Sequence, residues 1–103
     1  MYIPYDDTVP IFDWNPEKNV WLEEVRGICF EDVMNAVDDG TPVRIVPHPH
    51  AEKYPHQQML IIKIREYTYC VPFVIKDRDT LFLKTIYPSR SAHKRYQSEK
   101  PIV

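Results

Sequence analysis

Gln58-Met59-Leu60-Ile61-Ile62-Lys63-Ile64-Arg65, followed after Glu66 by Tyr67-Thr68-Tyr69-Cys70-Val71-Pro72-Phe73-Val74-Ile75, is the stretch that decides the fold. In its first part Leu60, Ile62 and Ile64 fall on one face of an extended chain, with Met59, Ile61, Lys63 and Arg65 on the other. In its second part Tyr67, Tyr69, Val71, Phe73 and Ile75 alternate with Thr68, Cys70, Pro72 and Val74. Two long strands so closely linked pair antiparallel. Pro72 has no N–H for a ladder, so the second strand is bulged there or unpaired on that side.

Downstream, Lys76 to Thr80 reads as a turn and Leu81 to Ile86 as a third strand. Ser89 can cap a short helix holding Arg90, His93, Lys94 and Tyr96. Upstream, Pro47 to Pro55 contains three prolines and reads as a loop, and Val43 to Val46 as a short strand. Before Pro42 the period changes. Phe30, Val33, Met34 and Val37 recur at the i, i+3, i+4, i+7 spacing of a buried helical stripe. Ile28 can staple onto Val33, and Asp38-Asp39-Gly40 ends the helix. An earlier helix starts at Asn15-Pro16-Glu17, with Asn as cap and Pro at the first helical position, and stops near Arg26 at Gly27. Ile11 to Trp14 can form a short strand. The expectation is one domain over residues 1–103 with an irregular arm at 1–10 and a tail at 97–103. Its class is α+β: an antiparallel sheet with two N-terminal helices and a short C-terminal one, the helices on one face.

The 103 residues have ordinary globular composition, 44% hydrophobic and 27% charged. No run approaches the roughly 18 apolar residues of a membrane span. With no signal peptide visible at the N-terminus, the chain is expected in the cytoplasm. There Cys29 and Cys70 read as reduced thiols, and Cys29, preceding the second helix, as a core or cap residue. Charge is uneven. Residues 1–40 hold ten acids and two bases, residues 41–83 six bases and four acids, and residues 84–100 five bases and one acid, within a net charge of −2. The basic end interleaves Tyr87, His93 and Tyr96 with Lys84, Arg90, Lys94 and Arg95. That mixture suits RNA, whose bases stack on aromatics while cations hold phosphates.

Three segments resemble the BrnT-like toxins of bacterial type II toxin–antitoxin systems, within the RelE/ParE-like group. Phe12-Asp13-Trp14-Asn15-Pro16-Glu17-Lys18-Asn19 is similar to that family's opening of an aromatic, then Asp-Pro and Lys-Asn. Arg26-Gly27-Ile28-Cys29-Phe30-Glu31-Asp32 is similar to its next segment, with Arg26 where His is usual and Cys29 where Ser or Thr is usual. Ser89-Arg90-Ser91-Ala92 with Tyr96 resembles its last helix, although Pro88 intrudes and Ser89 and Arg90 are adjacent. The loop from Pro47 to Pro55 has no obvious counterpart. The resemblance, over roughly residues 11–96, implies a RelE-like fold and metal-independent endoribonuclease activity on messenger RNA. It also implies a small antitoxin from the same operon and a toxin–antitoxin hetero-oligomer.

RNA cleavage without a metal needs a base for the 2′-hydroxyl, cations for the phosphorane and an acid for the leaving oxygen. The candidate catalytic residues are Arg90, Lys84, Tyr87 and His93; the candidate RNA-binding residues are Lys63, Arg65, Lys94 and Arg95. No cofactor and no metal are expected. His48, His50 and His56 lack a fourth ligand at a matching spacing, so a solvated Pro-rich loop is the preferred reading. Trp14 and Trp21 are read as core. The alternative function is a non-catalytic interaction protein of the same fold. Convergence of Lys63, Arg65, Lys84 and Arg90 on one concave patch would favour the nuclease, and dispersal the binder.

Overall fold

Asn15 opens the first helix as its residue types require: its side-chain oxygen accepts from the N–H groups of Glu17 and Lys18 at 2.8 and 3.0 Å. The computed structural model describes residues 11–97, and the arm expected at 1–10 and the tail beyond Gln97 lie outside the described residues. Helix α1 spans Pro16–Arg26 and stops at Gly27, whose φ of 70° is the left-handed conformation glycine accepts freely. Helix α2 spans Phe30–Asp38, with Phe30 and Val33 buried. The strands are β1 (Ile11–Trp14), β2 (Val43–Pro47), β3 (Gln58–Ile64), β4 (Tyr67–Ile75), β5 (Thr80–Leu83) and β6 (Tyr87–Pro88), followed by helix α3 (Arg90–Gln97).

The strands form one sheet in the order β1-β5-β4-β3-β2, with β6 pairing β4 beyond β5. Pairing is antiparallel except that β1 lies parallel to β5, with Phe12 beside Leu81 and Trp14 beside Leu83. The sheet is therefore mixed, not wholly antiparallel: a four-residue apolar pattern carries no information about the direction of its partner.

Pro72 explains the split between β5 and β6. Its carbonyl accepts from the Lys84 N–H at 2.8 Å, but the return bond of that narrow pair is missing because proline has no donor. Lys84, Thr85 and Ile86 then leave the ladder, and pairing resumes at Tyr87 opposite Cys70. The other side of β4 is unbroken, in register with β3 from Tyr67 to Phe73. The expected third strand over 81–86 is thus cut short by its neighbour.

Helices cover both faces of the sheet, in place of the single covered face expected. Leu22, Ile28, Phe30 and Val33 pack on Leu60, Ile62, Val71, Phe73 and Leu83 to make the main core. Burying each large side chain there contributes about 1.5–3 kcal/mol. On the opposite face Ala92 and Tyr96 of α3 meet Met59, Ile61 and Cys70 in a smaller cluster. The alternation of β3 and β4 makes this possible, since both of their faces are apolar at the β2 side.

Candidate functional site at the head of the third helix

Ser89 sets the position of α3. Its N–H donates to the Thr68 carbonyl at 3.1 Å, its hydroxyl accepts from the Ala92 N–H, and its carbonyl accepts from the His93 N–H. The head of the helix is thereby fixed beside Thr68, at the hairpin end of the sheet. Ala92 and Tyr96 turn inward. Arg90, His93 and Lys94 then share one flank, because residues three and four apart are helical neighbours. Arg95 and Ser91 take the other flank.

His93 is held by two contacts. Its Nδ1 lies 3.0 Å from the Thr68 hydroxyl, and its ring stacks on Tyr67 with centroids 4.3 Å apart and planes 18° from parallel. Tyr69 stands edge-on to Tyr67 at 6.1 Å. Lys63 pairs with Thr68 in the β3–β4 register, so its exposed side chain leaves from the same sheet face. Register and helical spacing thus place Arg90, His93, Lys94 and Lys63 toward the hairpin end of the sheet.

Arg65 reaches elsewhere. It occupies the hairpin turn with φ of 52°, and Glu66 follows at 71°. From there its guanidinium donates to the Gly27 carbonyl at 3.2 Å and to the Asp32 carboxylate at 2.9 Å, clamping the α1–α2 junction to the sheet. Arg26 acts similarly, donating to the Ile86 carbonyl and, at 3.5 Å, to the Thr85 hydroxyl. Arg65 therefore borders the His93 group but faces the α1–α2 side.

Lys84 does not join them. It lies level with Pro72, four residues along β4 from Thr68, or about 13 Å at strand rise. Its ammonium sits 5.3 Å from the Phe82 ring, which Lys76 also approaches at 5.5 Å. The four cations expected to share one concave patch therefore do not: Lys63 and Arg90 lie toward the Thr68 end of the sheet, Arg65 is engaged at the α1–α2 junction, and Lys84 stands apart.

Tyr87 faces the other flank of α3. There a cleft of about 640 Å³ opens between the helix and β2–β3, lined by Tyr87, Met59, Ile61, Cys70, Ser91 and Arg95 among others. The Tyr87 hydroxyl donates to the Met59 thioether at 3.3 Å. Burial, with Cys70 beside it, pushes the Tyr87 phenol above its ordinary value. Burial also raises the Cys70 thiol.

Trp14 stacks on Phe30 at 5.4 Å against the core, but Trp21 is 40% exposed, with Lys18 and Arg26 against its ring at 4.2 and 5.0 Å. Cys29 is the cap of α2, and Asp32 accepts from its N–H at 3.0 Å. Its thiol is raised to about 11, first by burial and then by the Glu31 and Asp32 carboxylates, not lowered by the helix dipole. His48 accepts from the His50 N–H and packs on Tyr54. Among the described residues no three His, Cys, Asp or Glu side chains are placed to hold a metal ion. Also among the described residues, no helix is long and apolar enough to cross a membrane.

Thr68 and Tyr67 were legible from the sequence only as strand residues. One signal was there: on the strand face shared with Cys70, Pro72 and Val74, Thr68 is the hydroxyl, and a buried hydroxyl needs a partner.

No protein-family model matches this chain, and no curated protein matches it. Its structure is similar to the 1.1 Å crystal structure of the Brucella abortus ribonuclease toxin BrnT, with a TM-score of 0.56. The match covers 80% of this chain and 97% of that one at 15% identity. At that identity the likeness is one of architecture: this chain is an α+β protein with a BrnT-like fold.

Proposed function

We propose that this chain is the toxin of a type II toxin–antitoxin pair and an endoribonuclease that cleaves messenger RNA without a metal or cofactor, in the cytoplasm. The observation that carries the reading is the Tyr67–His93 stack at the head of a helix that also bears Arg90 and Lys94, with Lys63 in register across the hairpin, on a BrnT-like fold. Cations beside an aromatic platform are what a single-stranded phosphodiester requires. Arg90 stands at the helix head, where its permanent charge and forked donors suit a phosphate. Lys94 and Lys63 extend the grip, while Arg95 and Arg65 serve the RNA from the margins. Lys84 and Tyr87 take subordinate parts because both lie off this flank. An acidic segment of a small antitoxin covers α3 in the resting pair, drawn by opposite charge.

The test is cleavage of a mixed RNA pool. Arg90→Ala is expected to lose about 100- to 1000-fold in rate, the usual cost of removing one transition-state donor, while keeping its fold because Arg90 is exposed. Equal cleavage by both proteins, or none by a wild type that stops growth, would sink the reading. A second reading, a non-catalytic protein of the same fold that binds an antitoxin-like partner or nucleic acid, draws on Lys84 standing apart and on Tyr87 being turned into the cleft. Binding without cleavage would favour it.

A further inference from the structure

We propose that Thr68 keeps the proton of neutral His93 on Nε2, so that His93 meets the RNA as a hydrogen-bond donor to a phosphate oxygen and is not the base that accepts the 2′-hydroxyl proton. The proposal rests on the RNA reading of this face. It starts from burial. Thr68 is 4% exposed and is the buried polar residue among those described. Among the described residues its hydroxyl has one partner, His93 Nδ1 at 3.0 Å. Were Nδ1 to carry the hydrogen and donate it, the hydroxyl hydrogen of Thr68 would be left unpaired in a buried place. That penalty biases the tautomers by roughly 10-fold or more. The arrangement that satisfies both groups has the hydroxyl donating to Nδ1 and the ring hydrogen on Nε2.

For Nε2 to be a base, Nδ1–H must instead be held by an acceptor such as a carboxylate or carbonyl. Thr68 is a poor substitute, because its own hydrogen then has nowhere to go. The Tyr67 stack covers one face of the imidazole and opposes a ring flip. Nε2 is consequently on the edge away from the strand. By register and position in the chain, the charged residues that flank it are Lys63 opposite Thr68 on β3, Glu66 in the turn before Tyr67, and Arg90 and Lys94 on its own helix. Three of those four are cations, which would concentrate a phosphate where the Nε2–H points. Thr68 and Tyr67 are positioning residues, and His93 is the group that touches RNA.

The test uses the full chain labelled with 15N at histidine and a single-stranded RNA whose riboses are 2′-O-methylated, so that it cannot be cleaved. Long-range 1H–15N spectra read the tautomer of the neutral ring directly. The wild type is expected to show Nε2–H for His93 and to shift that proton when the RNA is added. Thr68→Val should lose the tautomer preference and bind the RNA roughly 10-fold more weakly, and Thr68→Ser should restore both. Glu24→Gln, on α1 at the opposite face of the sheet, should behave as wild type, a control that touches neither the buried hydroxyl nor the imidazole. An Nδ1–H tautomer in the wild type, an Nε2–H signal unmoved by RNA, or Thr68→Val indistinguishable from wild type would overturn the proposal. None of these measurements needs turnover. A protein that shows the expected signals but cleaves nothing would refute the nuclease reading and leave this inference standing.

Discussion

Phe30 is wholly buried, stacks on Trp14 and joins α2 to the main core. Its truncation to Ala leaves a void among Leu22, Val33 and Phe73 that the two flanking elements cannot close. A loss of about 3–5 kcal/mol is expected in urea unfolding. Trp21→Ala, by contrast, removes a partly exposed ring and should leave the free energy of unfolding within about 0.5 kcal/mol of wild type. The Cys29 thiol gives a third residue-scale expectation. Its raised value of about 11, against an ordinary 9.0, means the thiolate forms only at high pH. Alkylation of folded protein at pH 8 should therefore run about 100-fold slower at Cys29 than in the urea-unfolded chain, which mass spectrometry of timed samples will measure. Equal rates would show that the environment drawn from burial and the two carboxylates is wrong.

The β3–β4 hairpin carries a tension between its sequence and its geometry. A two-residue turn with both φ values positive ordinarily selects Asn-Gly; here Arg65 and Glu66 occupy it at 52° and 71°. Each non-glycine residue there costs about 1–2 kcal/mol. Arg65 offsets part of that through the Gly27 carbonyl and Asp32, a clamp no Asn could reach, whereas Glu66 makes no such bond. Glu66→Gly should accordingly raise stability by about 0.5–1 kcal/mol after the entropy of an added glycine is counted. Arg65→Gly should relieve the same strain yet lose the clamp, and so gain less. Thermal unfolding of the two variants separates the effects; a larger gain for Arg65→Gly would mean the clamp is idle.

Charge organises the molecule as a whole. Helices α1 and α2 lie on one face of the sheet with Glu17, Glu23, Glu24, Glu31, Asp32 and Asp38, while α3 on the other carries Arg90, Lys94 and Arg95 and no acid. A near-neutral protein built this way presents a polyanion with one attractive side. Single-stranded RNA binding should weaken with salt at a slope of about −2 to −3 in log units, from some three or four phosphate contacts at roughly 0.7 each. Arg90→Ala should flatten that slope by about 0.7, and Glu24→Gln, on the far face, should not. Fluorescence anisotropy over a salt series reads both, and a slope unchanged in Arg90→Ala would remove Arg90 from the interface.

Local pattern and residue type determined most of the elements by themselves. Asn15-Pro16 and Gly27 bounded the first helix, the 3.6-residue stripe from Phe30 made the second, and the alternation from Gln58 to Ile75 made the hairpin. Ser89 announced the third helix. These are short-range effects, in which each residue's own dihedral preferences and hydrogen-bonding atoms decide. Tertiary structure alone decided that β1 runs parallel to β5, that α3 covers the second face, and that Lys84 and Tyr87 part from Arg90 and His93. Each depends on what packs opposite, over separations the local pattern does not encode. The pairing of Thr68 with His93, 25 residues apart, is the sharpest case. A strand hydroxyl and a helical imidazole become one unit only because Pro72 ends the β5 ladder and Ser89 lands on the Thr68 carbonyl.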